Sequence, residues 1–514
     1  MGLDQVIEFG AADLSIEQVC AVATGAAGMA LSPDPAVMAR IARSAGHVDA
    51  ILQREGVIYG VTTGYGDSCT TEVSPELVAQ MPLQLSRYHG CGMGRILTPE
   101  ETRAVMAVRL VTLLRGWSGV SVELVQLLAD MLRLDILPQI PAEGSVGASG
   151  DLTPLSYIAG ALAGERQVLF GGEVMSSAQA FEKTGLKAIV LKPKEALAVM
   201  NGTAVMTGLA ALAFQRAQRL CVLSSRLTSM TSLALLGNPR HFDKRLFDAK
   251  PHPGQMRVAD RVRADLKRFD ETHAPSRLQD RYSVRCAPHV IGVLEDMLPA
   301  FRSMIETEIN SANDNPLFDP EDGKVLHGGH FYGGHICFAM DGLKTLVANI
   351  ADLMDRQMAL LVDTRYSNGL PANLSGAVGP RAAINHGLKA VQISISAFTA
   401  EALKLTMPAS VFSRSTECHN QDKVSMGSIA ARDAIRVLEL TEQCAAAHLI
   451  ACVQALRLRT RDGGLTEDML GPHVNAFIAE VGQTVTFLEE DMPLDGMLFR
   501  LTDQIAAGAW ELRF

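Results

Sequence analysis

The tripeptide Ala148-Ser149-Gly150 is the place in this 514-residue chain where the backbone itself can react. A serine between two residues with almost no side chain has little steric protection, and glycine reaches backbone conformations that other residues avoid. In a sharp bend the amide nitrogen of Gly150 can approach the carbonyl carbon of Ala148. Attack closes a five-membered ring, and loss of water from the ring and from Ser149 leaves an exocyclic methylidene. The product is an electrophile built from the chain's own backbone. The surrounding residues 143–157 also read as a Gly/Ser loop entering a helix, with Asp151 or Thr153 as cap and Pro154 in the first turn. They do not read as a nucleotide site. The run from Gly144 to Gly150 lacks the G-x-G-x-x-G spacing, prolines interrupt the strand that should precede it, and no phosphate-binding Gly-x4-Gly-Lys-Ser/Thr occurs.

Other residues of reactive type lie far from this loop in sequence. Tyr59 stands in residues 57–66, where three glycines and two threonines read as an irregular loop. Taken alone, Tyr59 reads as a half-buried loop tyrosine. Arg285 offers a planar fork suited to a carboxylate, and Tyr282, three residues earlier, shares its face of a helix. Asn201 reads as a helix-start cap. His327, His330 and His335 could suggest a metal, but their glycine-rich spacing gives no H-x-x-x-H helix face and no acidic partner set, so no metal is expected.

Residues 143–157 closely resemble the prosthetic-group loop of the histidine and aromatic amino acid ammonia-lyase family, in the bacterial short form. The resemblance runs over nearly the whole chain, and each motif carries an implied role. In that family Ala148-Ser149-Gly150 would become 4-methylidene-imidazol-5-one (MIO), formed autocatalytically, with no external cofactor. Tyr59 falls in the family's Tyr-Gly-(apolar)-x-Thr-Gly-(aromatic)-Gly motif as the base that removes the β-proton. A tyrosine has an ordinary pKa of about 10, so this role calls for nearby positive charge or hydrogen-bond donors to lower it. Asn201 matches an asparagine that bonds the prosthetic carbonyl. Arg285, in Tyr-Ser-x-Arg-Cys, would grip the substrate carboxylate with Tyr282 at the reacting centre. Asn313 would bond the carboxylate region, and Phe331 would pack near the prosthetic group.

The resemblance also frames the substrate. Tyr88-His89 occupies the pair that separates ring types, where histidine lyases tend to carry Ser-His, tyrosine lyases His-Leu and phenylalanine lyases Phe-Leu. It matches none of these. His330 stands where the usual form is Asn, and Gln421 stands where histidine lyases place glutamate. Gln421 therefore disfavours histidine, while Tyr88 and His89 put polar groups where a phenol would end. A pocket built to bond a hydroxyl rejects the analogue lacking it. The expected activity is a tyrosine ammonia-lyase giving trans-4-hydroxycinnamate (p-coumarate) and ammonia. The alternatives are a phenylalanine or histidine ammonia-lyase, or an MIO-dependent tyrosine 2,3-aminomutase, which returns the ammonia to the β-carbon. A fumarase- or aspartase-type lyase is disfavoured by the absence of its Gly-Ser-x-x-Met-Pro-x-Lys-x-Asn loop. A helical scaffold without activity would show damage at the reacting residues, yet Tyr59, Ser149, Tyr282, Arg285 and Phe331 all stand.

The elements that must position these residues are helical. The composition is 48% hydrophobic and 20% charged, with only 5% aromatics and abundant Ala, Leu and Met, which favours helix. Ser15 to Gln18 has the capping-box pattern, residues 1–55 read as short helices and residues 100–135 as two amphipathic helices. Residues 168–174 read as a hairpin, and long apolar helical patterns run through residues 343–361, 384–398 and 426–456. The resemblance implies an all-α, aspartase/fumarase-like long-helix bundle. Residues 1–200 would be a smaller N-terminal region bearing the prosthetic group, and residues 201–514 the bundle with C-terminal helices. It further implies a homotetramer with active sites shared between subunits. A net charge of −10 points to neither nucleic acid nor an anionic membrane, and no apolar run is long enough to span a bilayer. Nine scattered cysteines without Cys-x-x-Cys, and no basic-then-apolar N-terminus, fit a cytoplasmic protein acting on a small aromatic amino acid.

Overall fold

The computed structural model describes residues 5–55, 57–275 and 277–514. Helices dominate it, and the strands form only small sheets of two or three members. Local signals set many helix starts. Ser15 accepts from the amide of Gln18, whose side chain accepts in return from the Ser15 amide, and this capping box opens helix Ile16–Ala23. Thr98 and Glu101 repeat the device ahead of helix Pro99–Leu114, with Pro99 in the first turn.

The chain forms two compact units, each assembled from separate stretches. The first holds Met1–Gln215, Phe301–Asp341 and Pro408–Arg432; the second holds Arg216–Ala300, Gly342–Met407 and Asp433–Phe514. The sequence boundary at residue 200 thus falls inside the first unit. The chain comes back to that unit twice after leaving it, which no linear division can show.

In the first unit, helix Pro99–Leu114 is buried on almost every side and packs against helices Ile16–Ala23 and Val122–Arg133. Two amphipathic helices were expected there; Val122–Arg133 is one, but Pro99–Leu114 is a core helix. Residues 1–55 also differ from a set of short helices. Val6–Phe9 pairs in parallel with Gly28–Leu31, and one long helix covers Pro35–Glu55. The strand alternation, with Ile7 and Phe9 buried, is too brief to read beforehand. Gln167–Phe170 and Glu173–Ser176 form the expected hairpin, with Leu137–Pro138 as a third strand.

In the second unit, long helices pack through apolar faces threaded with small polar contacts. The Thr399 hydroxyl of helix Lys389–Lys404 lies 3.4 Å from Cys444, and Thr231 lies 2.9 Å from His448. The helix expected to begin near Ile384 begins at Lys389, because Gly387, at φ 51°, breaks the helical backbone just ahead of it. Among the described residues no helix is long and apolar enough to cross a membrane.

Candidate active site

The serine loop lies at the start of helix Leu152–Leu162, in the first unit. Ser149 and Gly150 take positive φ values of 49° and 77°. Such backbone is costly for serine and open to glycine. Gly150 pairs with Gly202: the Gly202 amide donates to the Ser149 carbonyl at 3.2 Å, and the Asp151 amide donates to the Gly202 carbonyl at 2.8 Å. A Cβ on Gly150 would stand 2.1 Å from the Gly202 oxygen, so only glycine fits. The bridge uses the amide of Asp151 and not that of Gly150, the nitrogen a cyclisation needs. These residues fit a backbone-derived MIO.

Below the loop, the buried Asp151 carboxylate accepts from the Met206 amide at 2.9 Å and from the Ser428 hydroxyl. Burial pushes its pKa up to about 6, against the hydrogen bonds that lower it. The Ser145 hydroxyl, 3.3 Å from this carboxylate, also lies 3.3 Å from the Gly150 carbonyl. Asp151 is therefore a support of the loop and makes no side-chain cap to its helix.

Above the loop is a cavity of about 550 Å³, and every residue lining it comes from the first unit. Tyr59, Ala148, Ser149, Asn201, Phe331 and Gln421 meet there. The Tyr59 oxygen accepts from the Gly66 amide at 2.8 Å, which leaves its own proton for another acceptor. Burial nevertheless raises the Tyr59 pKa; the Gly66 donor opposes this, and the Glu417 carboxylate adds to it. The lowered pKa that a tyrosine base requires is thus not supplied by these residues. Gln421 is held by two backbone bonds to Thr416, of 3.0 and 3.2 Å, and its Oε1 accepts from the Thr416 hydroxyl at 3.1 Å. That fixes the amide so that Nε2 faces Ser149 Oγ at 3.3 Å.

Asn201 lines this cavity, whereas Asn313, Tyr88, His89, Tyr282, Arg285 and His330 do not. Asn201 closes helix Glu195–Met200 and does not start one, because Gly202, at φ 144°, breaks the helix before Ala204–Ala234. Asn313 is buried, with Oδ1 accepting from Arg109 at 3.0 Å and Nδ2 donating to Thr203 at 2.8 Å, so its amide is committed to the protein. Tyr88 ends helix Met81–Tyr88 and His89 follows it, their rings 4.4 Å apart. His89 Nδ1 lies 3.1 Å from the Leu85 carbonyl, and burial lowers its pKa, which gives a neutral ring with Nε2 as acceptor. Tyr282 and Arg285 belong to the second unit, on the short helix Tyr282–Arg285. The guanidinium sits 4.6 Å over the Tyr282 ring, and Tyr282 is 72% exposed. His330 is exposed.

Sequence reasoning assigned no role to Cys69, Asn315 or Lys423, which also line the cavity. It missed Glu417 as well, whose carboxylate accepts from the Asp67 amide at 3.0 Å and ties the Tyr59 loop to the Gln421 loop. Nothing in the spacing of Asn315 or Glu417 along the chain marked a contact. A cleft of the same volume in the second unit, around Arg240, Lys244 and Arg263, gathers none of the residues singled out for chemistry.

The aromatic amino acid lyase pattern matches residues 14–483. The chain belongs to this family of aromatic amino acid lyases. It is 38% identical over 449 residues to a histidine ammonia-lyase of Gloeobacter violaceus, covering 87% of this chain and 86% of that protein. It is 34% identical over 468 residues to a histidine ammonia-lyase of Bacillus subtilis, covering 91% and 90%. A tyrosine aminomutase from Streptomyces globisporus superposes with a TM-score of 0.89 at 32% identity, covering 99% of this chain and 100% of that one. The phenylalanine aminomutase of Pantoea agglomerans gives 0.89 at 30% identity, covering 98% and 99%. As a member of this lyase family the chain shares its long-helix architecture with these proteins.

Proposed function

We propose that this lyase eliminates ammonia from L-tyrosine to give trans-4-hydroxycinnamate, with MIO formed from Ala148-Ser149-Gly150. The observation that carries the reading is the convergence of Tyr59, Ser149 and Gln421 on one cavity. Residues 148–150 would hold the MIO group, which would supply an electrophilic carbon for the substrate amine and so improve it as a leaving group. Tyr59 removes the β-proton, its oxygen anchored by the Gly66 amide. Arg285 grips the carboxylate and lowers the entropic cost of alignment. With Asn313 bonded to Arg109 and Thr203, its contribution is to brace the wall. His89, neutral with Nε2 free to accept, takes the phenol hydroxyl. The working form is a cytoplasmic homotetramer in which Tyr282 and Arg285 serve a neighbouring subunit's cavity.

A second reading, histidine as substrate, is favoured by the relatives named histidine ammonia-lyase. The likeness to tyrosine aminomutase favours a third, return of ammonia to the β-carbon. Ultraviolet assays with L-tyrosine, L-phenylalanine and L-histidine in parallel separate them, with chromatography for β-amino acids. Growth of 4-hydroxycinnamate from tyrosine alone is expected. Urocanate from histidine overturns the substrate, β-tyrosine overturns the outcome, and no product from any of them overturns the reaction. Ser149→Ala should leave the loop peptide unmodified and lower the rate by more than about a thousandfold, because the covalent route for the amine is gone.

A further inference from the structure

Arg109 projects from the core helix Pro99–Leu114 and is only 1% exposed. Among the described residues it makes no ion pair within salt-bridge distance. A buried guanidinium is expensive to desolvate, and burial lowers its pKa to about 10 despite the fields of Asp314 and Asp151. Its nitrogens are spent on neutral acceptors. Nη2 donates to the carbonyls of Ala198 and Asn201, the latter at 2.8 Å, and Nη1 donates to Asn313 Oδ1 at 3.0 Å. Nε has no partner.

The acceptors define the task. Ala198 lies in the last turn of helix Glu195–Met200 and Asn201 caps its end, so the cation sits at the negative end of that helix. Gly202 then lies against the guanidinium: a Cβ there would meet Arg109 Nη1 at 2.4 Å. Gly202 is the residue that bonds the Ser149 carbonyl and the Asp151 amide. One side chain therefore fixes both the backbone strip that clasps the serine loop and Asn201, whose buried Oδ1 lacks a partner and which lines the cavity beside Ser149.

Resting on the MIO reading, we infer that Arg109 is a positioning residue for the prosthetic group: it clamps Asn201 and Gly202 against residues 149–151 and so sets the bend in which the loop cyclises. In that step the Gly150 nitrogen bonds to the Ala148 carbonyl carbon, and two water molecules leave, one from the ring carbon and one from Ser149. No oxidant or further reagent enters.

The test compares full-length wild type, Arg109→Lys and Arg109→Met by mass spectrometry of the peptide carrying residues 148–150, by the difference absorbance of the intact protein, and by melting temperature. Lysine keeps the charge but not the fork that reaches three acceptors. The wild-type peptide should be lighter by two waters; a wild-type peptide at full mass would overturn the MIO reading itself. The dehydrated fraction should fall about tenfold in Arg109→Met and about threefold in Arg109→Lys, with kcat per total enzyme falling in proportion and KM unchanged. Full dehydration in Arg109→Lys with wild-type kcat, whatever its melting temperature, would show a merely structural arginine and overturn the inference. If Arg109→Met fails to fold, Arg109→Gln, which keeps donors but neither the charge nor the reach to all three acceptors, must show the same loss of dehydration or the inference falls.

Discussion

The side-chain amide of Gln421 donates to the hydroxyl of Ser149 across 3.3 Å, from a loop 272 residues further along the chain. The Thr416 hydroxyl fixes the sense of that amide by bonding its oxygen. Gln421 thus meets the reactive serine with a donor, where a glutamate would present an acceptor able to pair with an imidazole. Gln421→Glu should raise kcat/KM for histidine relative to tyrosine by about tenfold, the worth of ~1.4 kcal/mol. Competition between the two substrates reads this ratio, and no change would remove Gln421 from substrate selection.

Tyr59 is held by a backbone donor, yet burial raises its pKa. A base with a raised pKa is scarcely deprotonated at neutral pH, so kcat/KM should keep rising with pH through the mildly alkaline range. Tyr59→Phe should lower kcat by about a hundredfold or more and abolish that rise. A flat profile in the wild type would assign the base elsewhere.

Arg285 is pre-set by stacking on Tyr282 and by a 3.0 Å bond from its Nε to the Asp280 carbonyl. Arg285→Lys loses the planar fork. KM should rise about tenfold with a smaller fall in kcat, since carboxylate binding is shared by ground and transition states. An equal fall in kcat with KM unchanged would place Arg285 at the reacting centre.

His448 is fully buried in the second unit, and desolvation lowers its pKa to about 3. The unfolded chain binds this proton below about 6.5 while the folded chain refuses it. Its contribution to stability is therefore complete above pH 6.5 and is lost progressively as the pH falls toward 3, at up to ~1.4 kcal/mol per pH unit. His448→Gln, which keeps a donor for Thr231, should flatten the denaturant midpoint across that window by about one proton. An unchanged slope would show that another group dominates acid unfolding.

The sequence by itself determined the reactive tripeptide, the helical class and several helix starts. These are local: a capping box at Ser15 or Thr98 needs only a few neighbouring residues, and the Ala-Ser-Gly order is read directly from the chain, whereas the bend at Ser149-Gly150 is held from outside by Gly202. The tertiary structure decided which distant side chains share the cavity, and that Asn313 spends its amide on Arg109 and Thr203. It also showed that Pro99–Leu114 is a buried core helix, which follows from the neighbours packed around it and not from its own pattern. Arg109 could not be read ahead, because a cation in an apolar helix resembles any surface charge until its acceptors are in view. Those acceptors come from residues 198–201 and 313, brought together when the chain returns to the first unit. Burial, and hence the direction of every pKa shift that matters here, belongs to packing and to no single stretch of chain.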